Sequence, residues 1–326
     1  MRHALEGRRI LVTGGAGFIG SHLIPALLAR GATVTAYDNL SLGRRELLAA
    51  VEGAARFRFA EADLLVTTDL DAVMKGHDCV FHLAANSNIS LGRGQTDRDL
   101  QQGTLVTYNV LESMRRHAVR ELVFASSSVV YGEARRQPTA EDDGPCLPIS
   151  LYGASKLASE GLISAFCHNF GMRAWIYRFG NVVGGRLTHG VIFDFIRKLR
   201  EDPATLTILG DGRQAKPYLH VDDCVAGMLF GWQQHAEPLS YFNLAPEGAT
   251  VVRDIARFVV EAMGLADVRV ELTGGARGWP GDVPQVRLDP SKLARLGWRA
   301  SYTSDEAVQR GILAALRELA PDMARR

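Results

Sequence analysis

The chain has 326 residues, 47% of them apolar and 22% charged, with a formal net charge of +1. That length accommodates one large α/β domain or two lobes, and that composition is ordinary for a folded soluble protein. The Arg-Arg pairs (Arg8-Arg9, Arg44-Arg45, Arg115-Arg116, Arg135-Arg136) are scattered, so no basic block marks a nucleic-acid surface.

No apolar run approaches the roughly 20 residues that cross a bilayer, and Met1 to Arg9 contains no apolar signal core. Cys79, Cys146, Cys167 and Cys224 are too far apart for a disulfide framework or a zinc knuckle. No cluster of His, Cys and carboxylates has metal-ligand spacing. The expectation is a cytoplasmic protein with no nucleic-acid, membrane or metal partner.

In chain order, Arg9–Thr13 reads as a strand, followed by a glycine-rich turn and a helix near 18–30. Strands follow at Thr33–Tyr37, Arg56–Phe59 and Cys79–Leu83, then a helix near 97–118. Leu122–Ala125 is a strand, 153–170 a helix and Ala174–Tyr177 a strand. Beyond Gly180 the alternation loosens, with helical periodicity near 190–200, 222–235 and 251–264.

Strand–helix alternation of this kind predicts an α/β fold with a doubly wound parallel sheet, the Rossmann arrangement. The Gly and Pro clusters at Gly184-Gly185, Gly210-Asp211-Gly212, Gly274-Gly275 and Trp279-Pro280-Gly281 suggest a smaller C-terminal substrate-binding lobe. The predicted division is a dinucleotide-binding domain over 1–180 with a return segment near 217–245. The substrate lobe then comprises 181–216 and 246–326.

The turn Thr13-Gly14-Gly15-Ala16-Gly17-Phe18-Ile19-Gly20 spaces its glycines G-x-x-G-x-x-G. Gly14 suits a tight turn, Gly17 lets backbone approach a pyrophosphate, and Gly20 lets the helix pack closely. Asp38 follows 18 residues after Gly20, at the end of the second strand. A carboxylate there accepts hydrogen bonds from an adenosine ribose and repels a 2′-phosphate, favouring NAD over NADP. Arg44 and Arg45 are the counter-argument, since an arginine can accommodate that phosphate. Asp63-Leu64 stands where an adenine contact is expected.

Tyr152 and Lys156 are four apart, hence on one helix face, and Ser126-Ser127-Ser128 ends the preceding strand. A phenol ionises near ~10, so it needs help to act as a base at neutral pH. A neighbouring ammonium and the positive nicotinamide ring favour the phenolate. Tyr152 then takes a hydroxyl proton as the carbinol hydrogen leaves to NAD, while a serine orients the oxygen.

Together these segments resemble the extended short-chain dehydrogenase/reductases, specifically the NAD-dependent epimerase/dehydratase branch typified by UDP-glucose 4-epimerase. The likeness also runs through Asp38-Asn39-Leu40, His82-Leu83-Ala84-Ala85, Val129-Val130-Tyr131-Gly132, Arg178-Phe179-Gly180-Asn181 and Tyr218-Leu219-His220-Val221-Asp222-Asp223. It implies Ser127, Tyr152 and Lys156 as the catalytic set. It implies a cofactor site of Gly14, Gly17, Phe18, Ile19, Gly20, Asp38, Asn39, Asp63, Leu64, Leu83, Ala84 and Ala85 with Tyr152 and Lys156. Asn181 is implied to meet the substrate diphosphate, and helices near 97–118 and 153–170 to form a homodimer contact.

Within the branch, 4,6-dehydratases carry an Asp-Glu pair after the catalytic hydroxyl. Here those positions are Ser128 and Val129, so elimination lacks its acid and base. That leaves two activities that the same residues serve, and an epimerase acting at C4 of a nucleotide-activated sugar is the one the resemblance implies, as the commonest function of this branch. A 4-dehydrogenase or ketoreductase, with a GDP-linked sugar open, is the alternative, and a non-catalytic dinucleotide-binding protein the distant one.

The substrate end departs from UDP-sugar epimerases. Trp279 stands three before Asp282, where they show arginine, and Lys216-Pro217-Tyr218 replaces Arg-Asp-Tyr/Phe. Losing a bidentate guanidinium weakens phosphate recognition unless Arg213, Lys216 or Arg277 compensates. Trp279 is assigned to stacking on a base or sugar, or to a lid. His189 either touches substrate or caps the helix it opens, and His82 and His220 are read as structural.

Overall fold

The alternating pattern folds into one seven-stranded sheet in the computed structural model, which describes residues 5–87, 94–234 and 237–319. Its strands are β1 (Arg9–Thr13), β2 (Thr33–Asp38), β3 (Phe57–Glu61), β4 (Cys79–His82), β5 (Glu121–Ser127), β6 (Arg173–Phe179) and the later Leu239–Leu244. They lie in the order β3-β2-β1-β4-β5-β6-(Leu239–Leu244). β1 pairs in parallel with β2 and β4, β2 with β3, and β4 with β5.

The order reverses between β1 and β4, the switch point beyond which doubly wound sheets bind ligands. Thr13 is in register with both Tyr37 and His82. The chain therefore leaves three adjacent strands side by side, at Gly14, at Asp38 and at Leu83.

Strand β4 is buried along its whole length, as expected for a sheet covered on both faces. Three helices cover one face: α2 (Thr67–Met74), α3 (Val106–Arg116) and α4 (Leu151–Phe170), which follow α1 (Phe18–Leu28) in the chain. Leu70, Val110, Met114, Ile163 and Phe166 from them pack with Leu11, Val80, Phe124 and Ile176 of the sheet. Short, polar α2 gave too little periodicity to be predicted. The predicted helix near 97–118 contains a π-helical turn, Leu100–Leu105, before α3 begins.

The chain divides into two compact units. One holds the sheet, in segments ending at Gly132, Arg178 and Phe242; the other comprises Glu133–Gly144, Phe179–Cys224 and the chain from Asn243 onward. The second unit has its own core, built by helices Val191–Glu201, Val252–Ala262 and Ser304–Leu319 around Leu206 and Ile208. Its strands are short: Thr205–Ile208 pairs with Arg269–Leu272, and Asn181–Val183 with Tyr218–His220. Two to four residues cannot display a period, which is why these strands escaped the sequence pattern.

A buried ion pair ties α4 to β6. Arg178 holds Glu160 through two parallel bonds, at 3.0 Å to Oε1 and 2.7 Å to Oε2. Ser126 Oγ donates to the same carboxylate at 2.5 Å, and Arg178 Nη1 donates to Tyr131 Oη at 2.9 Å. Both charges are less than 9% exposed, so each depends on the other. Glu160→Gln strands the guanidinium and is expected to lower the unfolding free energy by about 3 kcal/mol. Urea denaturation checks this, and an unchanged midpoint would contradict it.

Candidate active site

The glycine turn is shaped by close approach. Gly14 adopts φ +69°, and a Cβ there would lie 2.7 Å from the Ala84 nitrogen. A Cβ on Gly20 would lie 2.3 Å from the Gly14 carbonyl oxygen, so α1 can start against the turn only with glycine there. Gly17 caps α1 with no side chain, and no acidic residue occupies the first turn that Phe18 and Ile19 begin. Such a helix end presents its N–H groups and positive dipole to an anion. Opposite the turn, Leu83 N donates to Thr13 O at 3.1 Å, which sets the path of Leu83-Ala84-Ala85.

Asp38, at the strand end where a ribose contact is expected, braces the turns beside it. Its Oδ2 accepts from Ala16 N at 3.0 Å and its Oδ1 from Leu40 N at 2.9 Å, which couples it to the glycine turn. Burial raises its pKa, opposed by those two backbone bonds. Each carboxylate oxygen can still accept a further bond. Arg45 is held by Glu52 at 2.8 Å and lies over the Phe59 ring, so it is already engaged away from a 2′-phosphate role.

Asn39 Nδ2 donates to Asp63 Oδ2 at 2.9 Å, joining the loops after β2 and β3. The Leu64 side chain belongs to the core, and its carbonyl accepts from Asn109 Nδ2 at 2.9 Å. These features fit a dinucleotide: an anion-ready helix end, a carboxylate at the second strand, and backbone too close for side chains.

The catalytic candidates lie on β5 and α4. Ser127 ends β5, and its hydroxyl accepts from Val129 N at 3.4 Å and hydrogen-bonds the Tyr152 phenol. Ser150 caps α4 by accepting from Gly153 N at 3.1 Å, which starts the helix one turn before Lys156. Lys156 is 2% exposed. Its Nζ donates to Ala125 O at 2.6 Å and sits 4.7 Å from the Phe124 ring centroid and 5.7 Å from that of Tyr152.

Burial lowers the Lys156 pKa to about 8, opposed by Glu160 and Asp99. Burial pushes the Tyr152 phenol up to about 12, with Asp99 adding and the Ser127 hydrogen bond opposing. Desolvating a phenolate outweighs what these neighbours supply, so activation needs a further positive charge.

Behind the pair runs a buried chain of hydrogen bonds that the sequence reading missed. Thr13 Oγ1 lies 2.6 Å from His82 Nδ1, and His82 Nε2 lies 3.1 Å from Thr107 Oγ1. Ser159 Oγ of α4 donates to Thr107 Oγ1 at 3.1 Å. His82 thus links the strand that feeds the glycine turn to the catalytic helix. Its position at a strand end signalled only a structural role. Asp99 and Glu160 were also passed over, because single carboxylates carry no spacing signature.

The substrate-side candidates fall in the second unit. Asn181 opens a strand and its side chain hydrogen-bonds Tyr218. Exposed His189 directly precedes Gly190, the cap residue of helix Val191–Glu201, with Nδ1 3.4 Å from Thr188 Oγ1. Lys216 pairs with Asp282, whose other oxygen accepts from Gly278 N at 3.1 Å. Asp282 is buried, and its N–H donates to Trp279 O at 3.0 Å. Half-buried Trp279 therefore stands on a turn that Asp282 braces. Arg277 binds Glu133 and the Asp282 carbonyl, both at 2.6 Å. Of the three cations weighed for phosphate, Arg213 alone shows no side-chain partner among the described residues.

This set fits a dinucleotide-dependent oxidoreductase-type site of the Ser-Tyr-Lys kind. The model of the NAD dependent epimerase/dehydratase family matches residues 10–245, and the chain belongs to that family. It is therefore an NAD-dependent enzyme of the extended short-chain dehydrogenase/reductase type. It is 32% identical to the UDP-glucose 4-epimerase of Mycolicibacterium smegmatis over 317 residues, 93% of this chain and 97% of that one.

A crystal structure of a UDP-galactose 4-epimerase superposes with TM-score 0.86 at 41% identity, covering 95% of this chain and 99% of that one. The UDP-glucose 4-epimerase of Thermus thermophilus, complexed with NAD, gives 0.83 at 31% identity, covering 94% and 98%.

Gly20→Ala is expected to displace the turn and weaken NAD retention at least tenfold, measured by cofactor released on denaturation. His82 supplies a pH prediction. Burial, then Lys156, lowers its pKa from 6.5 to about 3, so folded His82 stays neutral where the unfolded side chain is protonated. The unfolded state binds more protons in that window, so stability falls as pH drops from 6.5 toward 3, by ~1.4 kcal/mol per pKa unit at most. His82→Asn should flatten that fall in denaturant titrations.

Proposed function

We propose that this enzyme interconverts the C4 epimers of a UDP-linked sugar through a 4-keto intermediate. The observation that carries this is Tyr152, hydrogen-bonded by Ser127 and set beside buried Lys156 at the switch point of an NAD-type sheet. Gly14, Gly17, Phe18, Ile19 and Gly20 would hold the pyrophosphate, Asp38 and Asn39 the adenosine ribose, and Asp63 and Leu64 the adenine. Leu83, Ala84 and Ala85 would line the nicotinamide side. Bound NAD supplies a reversible hydride acceptor for the sugar carbon.

Tyr152 takes the C4 hydroxyl proton while Ser127 orients that oxygen, and Lys156 holds the phenolate and the nicotinamide ribose. When the ketosugar has turned, Tyr152 returns the proton on the new face. A 4,6-elimination is disfavoured because Ser128 and Val129 supply no carboxyl group. The relatives' names support UDP. Arg213 and Asn181 are the diphosphate candidates, with His189 and Trp279 at the sugar or base. The Lys216–Asp282 pair fixes the Trp279 turn.

The sheet-bearing unit is the NAD-binding domain in this reading, and the other unit the substrate lobe. The enzyme is a homodimer and cytoplasmic. Leu105, Tyr108 and Phe170 on the α3 and α4 region are each more than 40% exposed, an apolar surface suited to a second copy. No helix among the described residues is long and apolar enough to cross a membrane.

The test incubates the purified protein with UDP-, GDP-, dTDP- and CDP-sugars without added NAD, following configuration by NMR. A C4 epimer formed catalytically from a UDP-sugar supports the reading. A 4-ketosugar accumulating with NADH supports the dehydrogenase instead. Tyr152→Phe should reduce turnover at least ~10²–10⁴-fold with NAD still bound.

A further inference from the structure

One buried charge beside the catalytic pair has no part in the steps above. Asp99 directly precedes the π-helical turn Leu100–Leu105 and is 2% exposed. Asn86 Nδ2 donates to its Oδ1 at 2.9 Å, while its Oδ2 has no hydrogen-bond partner among the described residues. Leaving a buried carboxylate oxygen unpaired is unfavourable, so a physical reason for its place is required.

The turn after Asp99 is pressed against the catalytic helix. Thr104 Oγ1 donates to Ser155 O at 3.4 Å, and Ser159 Oγ lies 3.4 Å from Gly103 O. A Cβ on Gly103 would come within 2.5 Å of Ser155 Oγ. A π-helical turn, uncommon and frequent at functional sites, sets this register. The Asp99 charge raises the proton affinity of Tyr152 and of Lys156, in each case after the effect of burial.

We propose that Asp99 is a positioning residue of the epimerisation, whose carboxylate, oriented by Asn86, offsets the positive charge gathered at Tyr152 so that the phenol can both take and return its proton. The proposal rests on the epimerase reading, in which one phenol serves as base in the first half-reaction and acid in the second. A proton donor works best when its pKa lies near the working pH. Lys156 favours the phenolate, as does the nicotinamide ring while it is oxidised; burial opposes them, and the Asp99 charge adds to that opposition, so that Tyr152 keeps its proton until the reduced ring returns the hydride.

The other groups around the pair do not supply the opposing charge to Tyr152. Ser127 from β5 hydrogen-bonds the phenol and favours its ionised form. His82 from β4 is neutral. Glu160, one turn along α4, raises the Lys156 pKa but is bound to Arg178 from β6.

The experiment compares the parent holoenzyme with Asp99→Asn, which keeps the size of the side chain and removes its charge. Tyrosinate absorbance is followed against pH, with Tyr152→Phe as the blank, beside the pH profile of turnover. Tyr152 in Asp99→Asn should ionise lower by on the order of one pH unit. The acid limb of turnover should move the same way, and Asp99→Glu should return both toward the parent.

An unmoved or upward-moving Tyr152 ionisation in Asp99→Asn overturns the proposal. If Asp99→Asn does not fold, Asp99→Ser leaves room for a water and is expected to show the same shift. A downward tyrosinate shift in a protein that converts no sugar upholds the action of Asp99 on Tyr152 while sinking the epimerase reading. Sugar turnover with no tyrosinate shift sinks the role of Asp99 alone.

Discussion

The site depends on keeping an ammonium inside the protein. Lys156 is buried, and its Nζ is held by the Ala125 carbonyl at 2.6 Å and the face of Phe124. Burying a charge is tolerable only with compensation. The compensation comes from several elements: the end of β5 supplies the carbonyl and the aromatic face, and α4 adds Glu160 one turn away. Glu160 is in turn fixed by Arg178 and Ser126, which puts the catalytic strand, the catalytic helix and β6 into one network. Lys156 can sit beside Tyr152 because the neighbouring polar groups are already committed.

The same constraint explains the behaviour of the phenol. A buried tyrosine resists ionisation, and Lys156 does not overcome that alone. Burial therefore favours the neutral phenol at Tyr152, and the charge that a bound nicotinamide brings would favour its ionisation. That would couple ionisation of the phenol to cofactor binding without a moving part. It also suits a reversible reaction, since a permanently ionised base could not serve as the acid of the return step.

Much of this was legible in the sequence, and the reason differs by region. Short β-branched runs and glycine spacing carry their own geometry, so β1, its turn, Asp38, and the Tyr152–Lys156 spacing could be placed from residue types alone. Asp38 was harder to read, because a ribose ligand and a turn cap use the same carboxylate chemistry; the structure shows the cap outright. The His82–Thr107–Ser159 chain and Asp99 were invisible, since they depend on which helix lies against which strand rather than on local spacing. In the second unit, the three cations considered for phosphate look alike in sequence. Only the fold shows that Lys216 is paired with Asp282 and Arg277 with Glu133.

The central claim is that the sugar is oxidised and re-reduced at C4 within one binding event. UDP-glucose carrying deuterium at C4 tests this directly, by NMR and mass analysis of the UDP-galactose formed in ordinary water. Deuterium retained at C4 of the product is the predicted result, because the hydrogen removed from one face is returned to the other without reaching solvent. Product formed with the C4 label washed out would contradict the account, since it would mean inversion by proton exchange with water.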